Sequence, residues 1–122
     1  PDRATRGAAG RARSGVEGRL TVATFRIEPA GDGRLAASGP LDFATAAAAL
    51  RAGLGLMSGD RAWTIDLSGV TAGDSAGLAV LVEWISAARA RGTSVHYESV
   101  PAQIVAIARI SDLEELLLAQ SA

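Results

Sequence analysis

Asp66-Leu67-Ser68-Gly69-Val70-Thr71-Ala72-Gly73-Asp74-Ser75-Ala76-Gly77-Leu78 joins a strand to a helix through a glycine-containing loop, and its reading decides the fold. Upstream, Trp63, Ile65 and Leu67 alternate over Ala62 to Ser68 as in a central strand, with Trp63 expected in the core. Downstream, Leu78, Leu81, Val82, Ile85 and Ala88 recur at helical spacing from Ser75 to Arg91 and predict the stripe that faces the sheet. Gly92 is the natural stop of that helix.

Working outward, Arg19 to Ile27 alternates as a first strand, Gly31-Asp32-Gly33 supplies a turn, and Arg34 to Ser38 predicts the second arm of a hairpin that Gly39-Pro40 ends. Asp42 is expected to cap a helix from Phe43 to about Met57, with Phe43, Ala46, Ala47, Leu50, Leu54 and Met57 on its buried stripe; Gly53 and Gly55 weaken the second half. Thr93 to Ser99 predicts a fourth strand. Pro101 opens a helix holding Ile104, Ile107 and Ala108, and Asp112 is expected to cap a last one with Leu113, Leu116 and Leu117. The order β-β-α-β-α-β-α-α, with crossover helices between successive parallel strands, predicts an α/β fold: a small mixed sheet of about four strands packed against helices.

A chain of 122 residues with 48% hydrophobic content has room for one domain with a modest core. Residues 1–18 carry five Gly or Pro and almost no large apolar side chain, so they are expected to form a flexible tail, with an Arg-rich presequence or an exposed arm as the alternatives; residues 19–122 form the domain. Twelve basic residues, all Arg, against thirteen acidic ones leave a net charge of −1, which argues against a charge-driven grip on nucleic acid or anionic lipid. There is no cysteine, and the longest apolar stretch, Gly77 to Ala88, is broken by Glu83 and too short to span a bilayer. No direct membrane insertion is expected, and the absence of a secretory pattern at the N-terminus makes a cytoplasmic location the expectation.

Gly73-Asp74-Ser75-Ala76-Gly77 fits the G-x-S-x-G nucleophile elbow between a strand and a helix. The enzyme reading needs a base for Ser75, and the one histidine, His96, lies within the predicted fourth strand. No catalytic residue is therefore assigned. His96 also lacks a second His or a Cys for a metal, and the scattered glycines have no P-loop spacing and no Lys, so neither metal nor cofactor is expected and any nucleotide belongs on a partner. The same residues support another reading: Asp74 or Ser75 caps the helix, and an exposed Ser75 hydroxyl at the helix N-terminus would accept a phosphate in a favourable dipole position, or serve as a plain capping residue.

Asp66-Leu67-Ser68-Gly69-Val70 followed by Asp74-Ser75-Ala76-Gly77-Leu78 resembles the signature of STAS domains, and the likeness runs from about Leu20 to Leu118. From Gly77-Leu78-Ala79-Val80-Leu81-Val82-Glu83-Trp84 onward, through Val100-Pro101-Ala102-Gln103-Ile104 and Ile107-Ala108-Arg109-Ile110, it is similar to the MlaB group. The MlaB resemblance implies a non-catalytic subunit of a bacterial phospholipid ABC transporter that maintains outer-membrane lipid asymmetry. Such a subunit binds the cytoplasmic ATPase, MlaF, and through it the membrane permease, so it is peripheral at the inner membrane. The wider STAS resemblance implies the alternative of an anti-sigma factor antagonist, phosphorylated at Ser75. The chain keeps serine where MlaB proteins often have threonine.

On the Ser75 to Arg91 helix, Gly77, Val80, Trp84 and Ala87 follow one another at spacings of three to four beside the core stripe. Trp84 is read either as an interface anchor flanked by small residues or as packing under the Ile104 helix. The expected partner-binding set is Asp74, Ser75, Ala76, Gly77, Val80 and Trp84.

Overall fold

The computed structural model describes residues 24–119. The tail over residues 1–18, and residues 19–23 of the expected first strand, lie outside the described residues. In order the elements are β1 (Arg26–Pro29), β2 (Arg34–Leu41), α1 (Ala46–Leu56), β3 (Trp63–Gly73), α2 (Ser75–Ala90), β4 (Val95–Glu98), α3 (Ala102–Ile110) and α4 (Glu114–Ala119). Type and order agree with the α/β expectation.

Alternation along three strands sets which way the sheet faces. Leu35, Ile65 and Tyr97 are register partners across β2, β3 and β4, and all three are buried. The flanking rows, Arg34-Thr64-His96 and Ala36-Asp66-Glu98, point to the opposite face and stay half-buried or exposed, because side chains alternate across a strand. That polar face is tied by Arg34, whose guanidinium reaches Glu98 at 2.6 Å. The sheet order is β1-β2-β3-β4, with β1 antiparallel to β2 and the other pairings parallel. The β2-α1-β3 and β3-α2-β4 crossovers step the same way across the sheet, so their common right-handed sense puts α1 and α2 in one layer, where they touch.

Trp84 joins that layer together. It is fully buried, its ring lies 6.4 Å from that of Phe25, and its indole N–H donates to the Leu50 carbonyl of α1 at 3.3 Å. α1 approaches so closely at Gly53 that an added Cβ would fall within contact distance of the indole ring. Leu78, Leu81, Ile85 and Ala88 are buried as expected, whereas Val82, expected in the same stripe, is half-buried and lines a groove; the Tyr97 hydroxyl donates to the Leu81 carbonyl at 2.5 Å. Burial pushes the Tyr97 phenol well above its ordinary range, so it stays a protonated donor. At the far end, Arg91 donates to the Gly59 carbonyl at 2.8 Å and to that of Met57, holding the exit of α1.

Several boundaries differ from expectation, each for a packing reason. β2 continues through Gly39-Pro40 to Leu41, because register shifts at Ala36/Ser38 and Gly39/Pro40 absorb a proline that cannot donate to a ladder. β3 runs on to Gly73, since this extension pairs with the continued β2. Among the described residues β1 begins at Arg26, with Thr24 and Phe25 outside it. α1 starts at Ala46, because Asp42 closes a turn rather than the helix: its carboxylate accepts from Ala44 and Thr45 N–H, and Asp42 N–H donates to Thr45 Oγ1 at 3.0 Å. The helix is thereby rotated, burying Ala49 and Gly53 and leaving Phe43 and Ala47 exposed. Trp63 is only half-buried, with the Arg61 guanidinium 5.1 Å from its ring centroid. Asp112 is left-handed, with φ 61°, and forms the corner between α3 and α4.

Gly53 and Gly55 give opposite outcomes on substitution. Gly55→Ala meets nothing within 4 Å and should stabilise by roughly 0.5–1 kcal/mol through helix propensity. Gly53→Ala gains the same propensity but forces Trp84 aside and should destabilise by roughly 1–3 kcal/mol. Urea denaturation midpoints of the two variants check both signs.

Candidate functional site

The junction between β3 and α2 is built around one carboxylate. Asp74 is the N-cap of α2: its Oδ1 accepts from Ala76 N–H at 2.9 Å and Gly77 N–H at 3.1 Å, meeting two of the donors that a helix start leaves open. Its Oδ2 accepts from Phe43 N–H at 3.0 Å, so the same side chain fastens the turn before α1 to the start of α2. Burial acts to raise the Asp74 carboxyl, but the N–H groups of Gly77, Phe43 and Ala76 together outweigh it and hold the group below its ordinary value of 3.8.

Close packing accounts for the glycines on either side. A Cβ on Gly73 would collide with the Ile104 side chain, and one on Gly77 with the Leu41 carbonyl. Gly73 N–H also donates to Gln103 Oε1 at 3.2 Å, tying α3 to the junction. The G-x-S-x-G spacing therefore serves the seating of α2 on β2 and α3. Ser75 and His96 do not form a dyad. His96 pairs in register with Thr64, nine residues before Gly73, which is about 30 Å along a strand at about 3.3 Å per residue. His96 instead shares a 3.2 Å hydrogen bond with Ser94 Oγ through Nε2.

Of the six residues expected to bind a partner, Ser75 is exposed on the first turn of α2, and Asp74 and Ala76 are half-buried beside it. Gly77, Val80 and Trp84 are buried. Trp84 is thus not a surface anchor; it packs against α1, and Val80 and Gly77 are buried on its own helix, α2. The side chain that does stand out is Phe43, 85% exposed. It rims a groove of about 410 Å³ between α1 and α2, lined further by Ala46, Ala47 and Leu50 on one side and Ala76, Ala79 and Val80 on the other. Glu83 stands at its edge. A second groove, of about 310 Å³, lies on the other side of the Ser75-Ala79-Glu83 ridge and reaches Ser111 and Leu113. Helical spacing counted from Phe43 placed it in the core; the signal pointing the other way was the Asp42-x-x-Thr45 pair, which makes Phe43 part of a turn. Among the described residues no three His, Cys, Asp or Glu side chains gather as a metal site, and no helix is long and apolar enough to cross a membrane.

Residues 24–119 match the family model described as Mlab, STAS domain. No curated protein matches the chain. Among solved structures, that of Mglu is similar at 26% identity and a TM-score of 0.50, over 63% of this chain and 20% of that one. The murine Slc26a9 anion transporter, of solute carrier family 26, is similar at 20% identity and a TM-score of 0.51, over 68% of this chain and 14% of that one. The chain thus corresponds to about a fifth or less of either protein. The anti-sigma factor antagonist SpoIIAA, in its unphosphorylated form, is similar at 10% identity and a TM-score of 0.52, over 71% of this chain and 83% of that one. The last two likenesses are of fold.

The lowered Asp74 carboxyl predicts a direction with pH. A group depressed on folding contributes stability that is fully present above its unfolded value, here near 3.8, and is lost as pH falls through the folded value. Asp74→Ala should cost about 0.5–2 kcal/mol near pH 7, and its gap from the parent should narrow below about pH 4. Urea denaturation at pH 7 and pH 3 measures this; a gap that widens on acidification contradicts the assignment.

Proposed function

Since this chain belongs to the MlaB-type STAS domain family, we propose that it is a non-catalytic subunit of a phospholipid-transport ABC complex, docking on the cytoplasmic ATPase and supporting its assembly. The observation that carries this reading is the apolar α1–α2 groove with Phe43 exposed on its rim and Ser75 at the neighbouring helix start. An exposed aromatic beside a concave apolar surface is a common anchor of protein interfaces. The location that follows is the cytoplasmic side of the inner membrane, held there through the ATPase and its permease. ATP then belongs to the partner, and this chain supplies a rigid contact face whose two helices are fixed by Trp84 and Asp74.

A second reading is supported by Ser75 itself, exposed at the N-terminal turn of a 16-residue helix. A phosphate there would gain from the helix dipole and repel acidic groups on a docked partner. That is the chemistry of a partner-switching antagonist controlled by phosphorylation, and SpoIIAA shares the fold.

A tagged pull-down from the native cell, with mass spectrometry of the partners and of Ser75, separates the two. Recovery of an ABC ATPase with its permease and an unmodified Ser75 supports the transporter subunit; a kinase-like partner with phosphorylated Ser75 replaces it with the switch. Phe43→Ala should weaken capture of the ATPase by about 30-fold, roughly 2 kcal/mol, while leaving thermal unfolding unchanged. Trp84→Ala should instead lower stability by about 3–5 kcal/mol, as expected of a core residue.

A further inference from the structure

We propose that the α1–α2 groove receives an amphipathic helix of the partner, and that the polar flank of this helix is basic. The inference rests on the docking reading above and adds the chemistry of what docks. Its first support is the character of the walls. They are helix side chains, so they offer no strand edge with open N–H or C=O groups, and an extended peptide laid in them would leave its own main chain unpaired against an apolar surface. A helix meets its backbone hydrogen bonds internally.

The second support is the small size of the lining. Ala46 and Ala47 on α1 face Ala76 and Ala79 on α2. Side chains that end at Cβ let a third helix approach at the short end of the usual interaxial range, about 8 Å. Phe43 then covers one flank of the docked helix. From Ala76 to Glu83 the wall is two turns of α2, about 10 Å, so two to three turns of partner helix with apolar residues at i, i+3, i+4 and i+7 would fill it.

Charge complementarity decides the polar flank. Glu83 is the one charged residue in the lining, it is exposed, and among the described residues no ion pair engages it. At the other end stand the carboxylates of Asp42 and Asp74, both serving local N–H groups. The only charged residue on α1, Arg51, is not part of the lining. A cationic side chain on the partner helix would meet Glu83 at the edge of the contact, setting register and choice of partner more than raw affinity.

The test uses the full chain and two designed, hydrocarbon-stapled, fluorescein-labelled helices of about 15 residues, with the same Leu and Ala stripe and either Lys or Glu on the polar flanks. Fluorescence anisotropy should show the Lys helix binding about tenfold more tightly than the Glu helix, the preference reversing in Glu83→Lys and both affinities falling in Phe43→Ala. Circular dichroism melts of the variants should match the parent. Equal affinities, a preference for the Glu helix, or binding of neither overturns the inference, and does so without touching the docking reading if the pull-down still recovers the ATPase. Conversely, Lys-helix binding that depends on Glu83, in a chain that captures no ATPase, removes the transporter reading and keeps the inference. A dimer in sedimentation that dissociates on Phe43→Ala would assign the groove to a second copy and overturn it.

Discussion

Every feature of the helical face depends on the indole of Trp84 being buried beneath α1. Its ring needs space that only Gly53 leaves, and its N–H needs an acceptor, which Leu50 supplies. A large ring with one polar atom is well placed between two helices when that atom finds a carbonyl, because burying an unpaired N–H would offset part of the gain from burying the ring. With Trp84 in place, α1 and α2 cannot slide against each other without opening a cavity. The groove above them therefore has a fixed width.

Asp74 fixes the other end of the same pair. Its two oxygens address two elements, one the start of α2 and the other the turn that precedes α1. This explains how a sequence pattern with the spacing of a nucleophile elbow serves to seat the helices. The flanking glycines permit close approach to Leu41 and Ile104, and the aspartate is occupied by backbone donors. Ser75 remains the one residue of the motif whose side chain is left facing outward on the surface. Its neighbours are helix ends and alanines, surroundings that suit recognition by shape and charge.

The two faces of the sheet divide the work. One face packs the helical layer; the other carries Arg34, Asp66, Glu98 and His96, with Arg34 paired to Glu98 and His96 hydrogen-bonded to Ser94. Among the described residues the most exposed large apolar side chains are Phe43, in the turn before α1, and Ile110, on the last turn of α3. The fold is shared with proteins as different as an anion transporter and an anti-sigma factor antagonist, and what distinguishes a member is the set of side chains along its helix surfaces.

The order of elements, the parallel strands with their crossover helices, the sheet-facing stripe of α2 and the importance of the Asp74-Ser75 junction were all legible in the sequence, because periodicity, caps and turn residues act over a few neighbouring positions. What that reading could not reach was which leftover face of each helix would be covered. Gly53 looked like a weak point in a helix until Trp84 filled the space beside it, and Phe43 looked like core until Asp42 was found to close a turn instead of starting the helix. The sequence by itself determined the fold and singled out the Asp74-Ser75 junction; tertiary structure decided that Phe43 rather than Trp84 faces outward, because burial depends on which element packs over a residue, and that is set by contacts between positions some thirty residues apart.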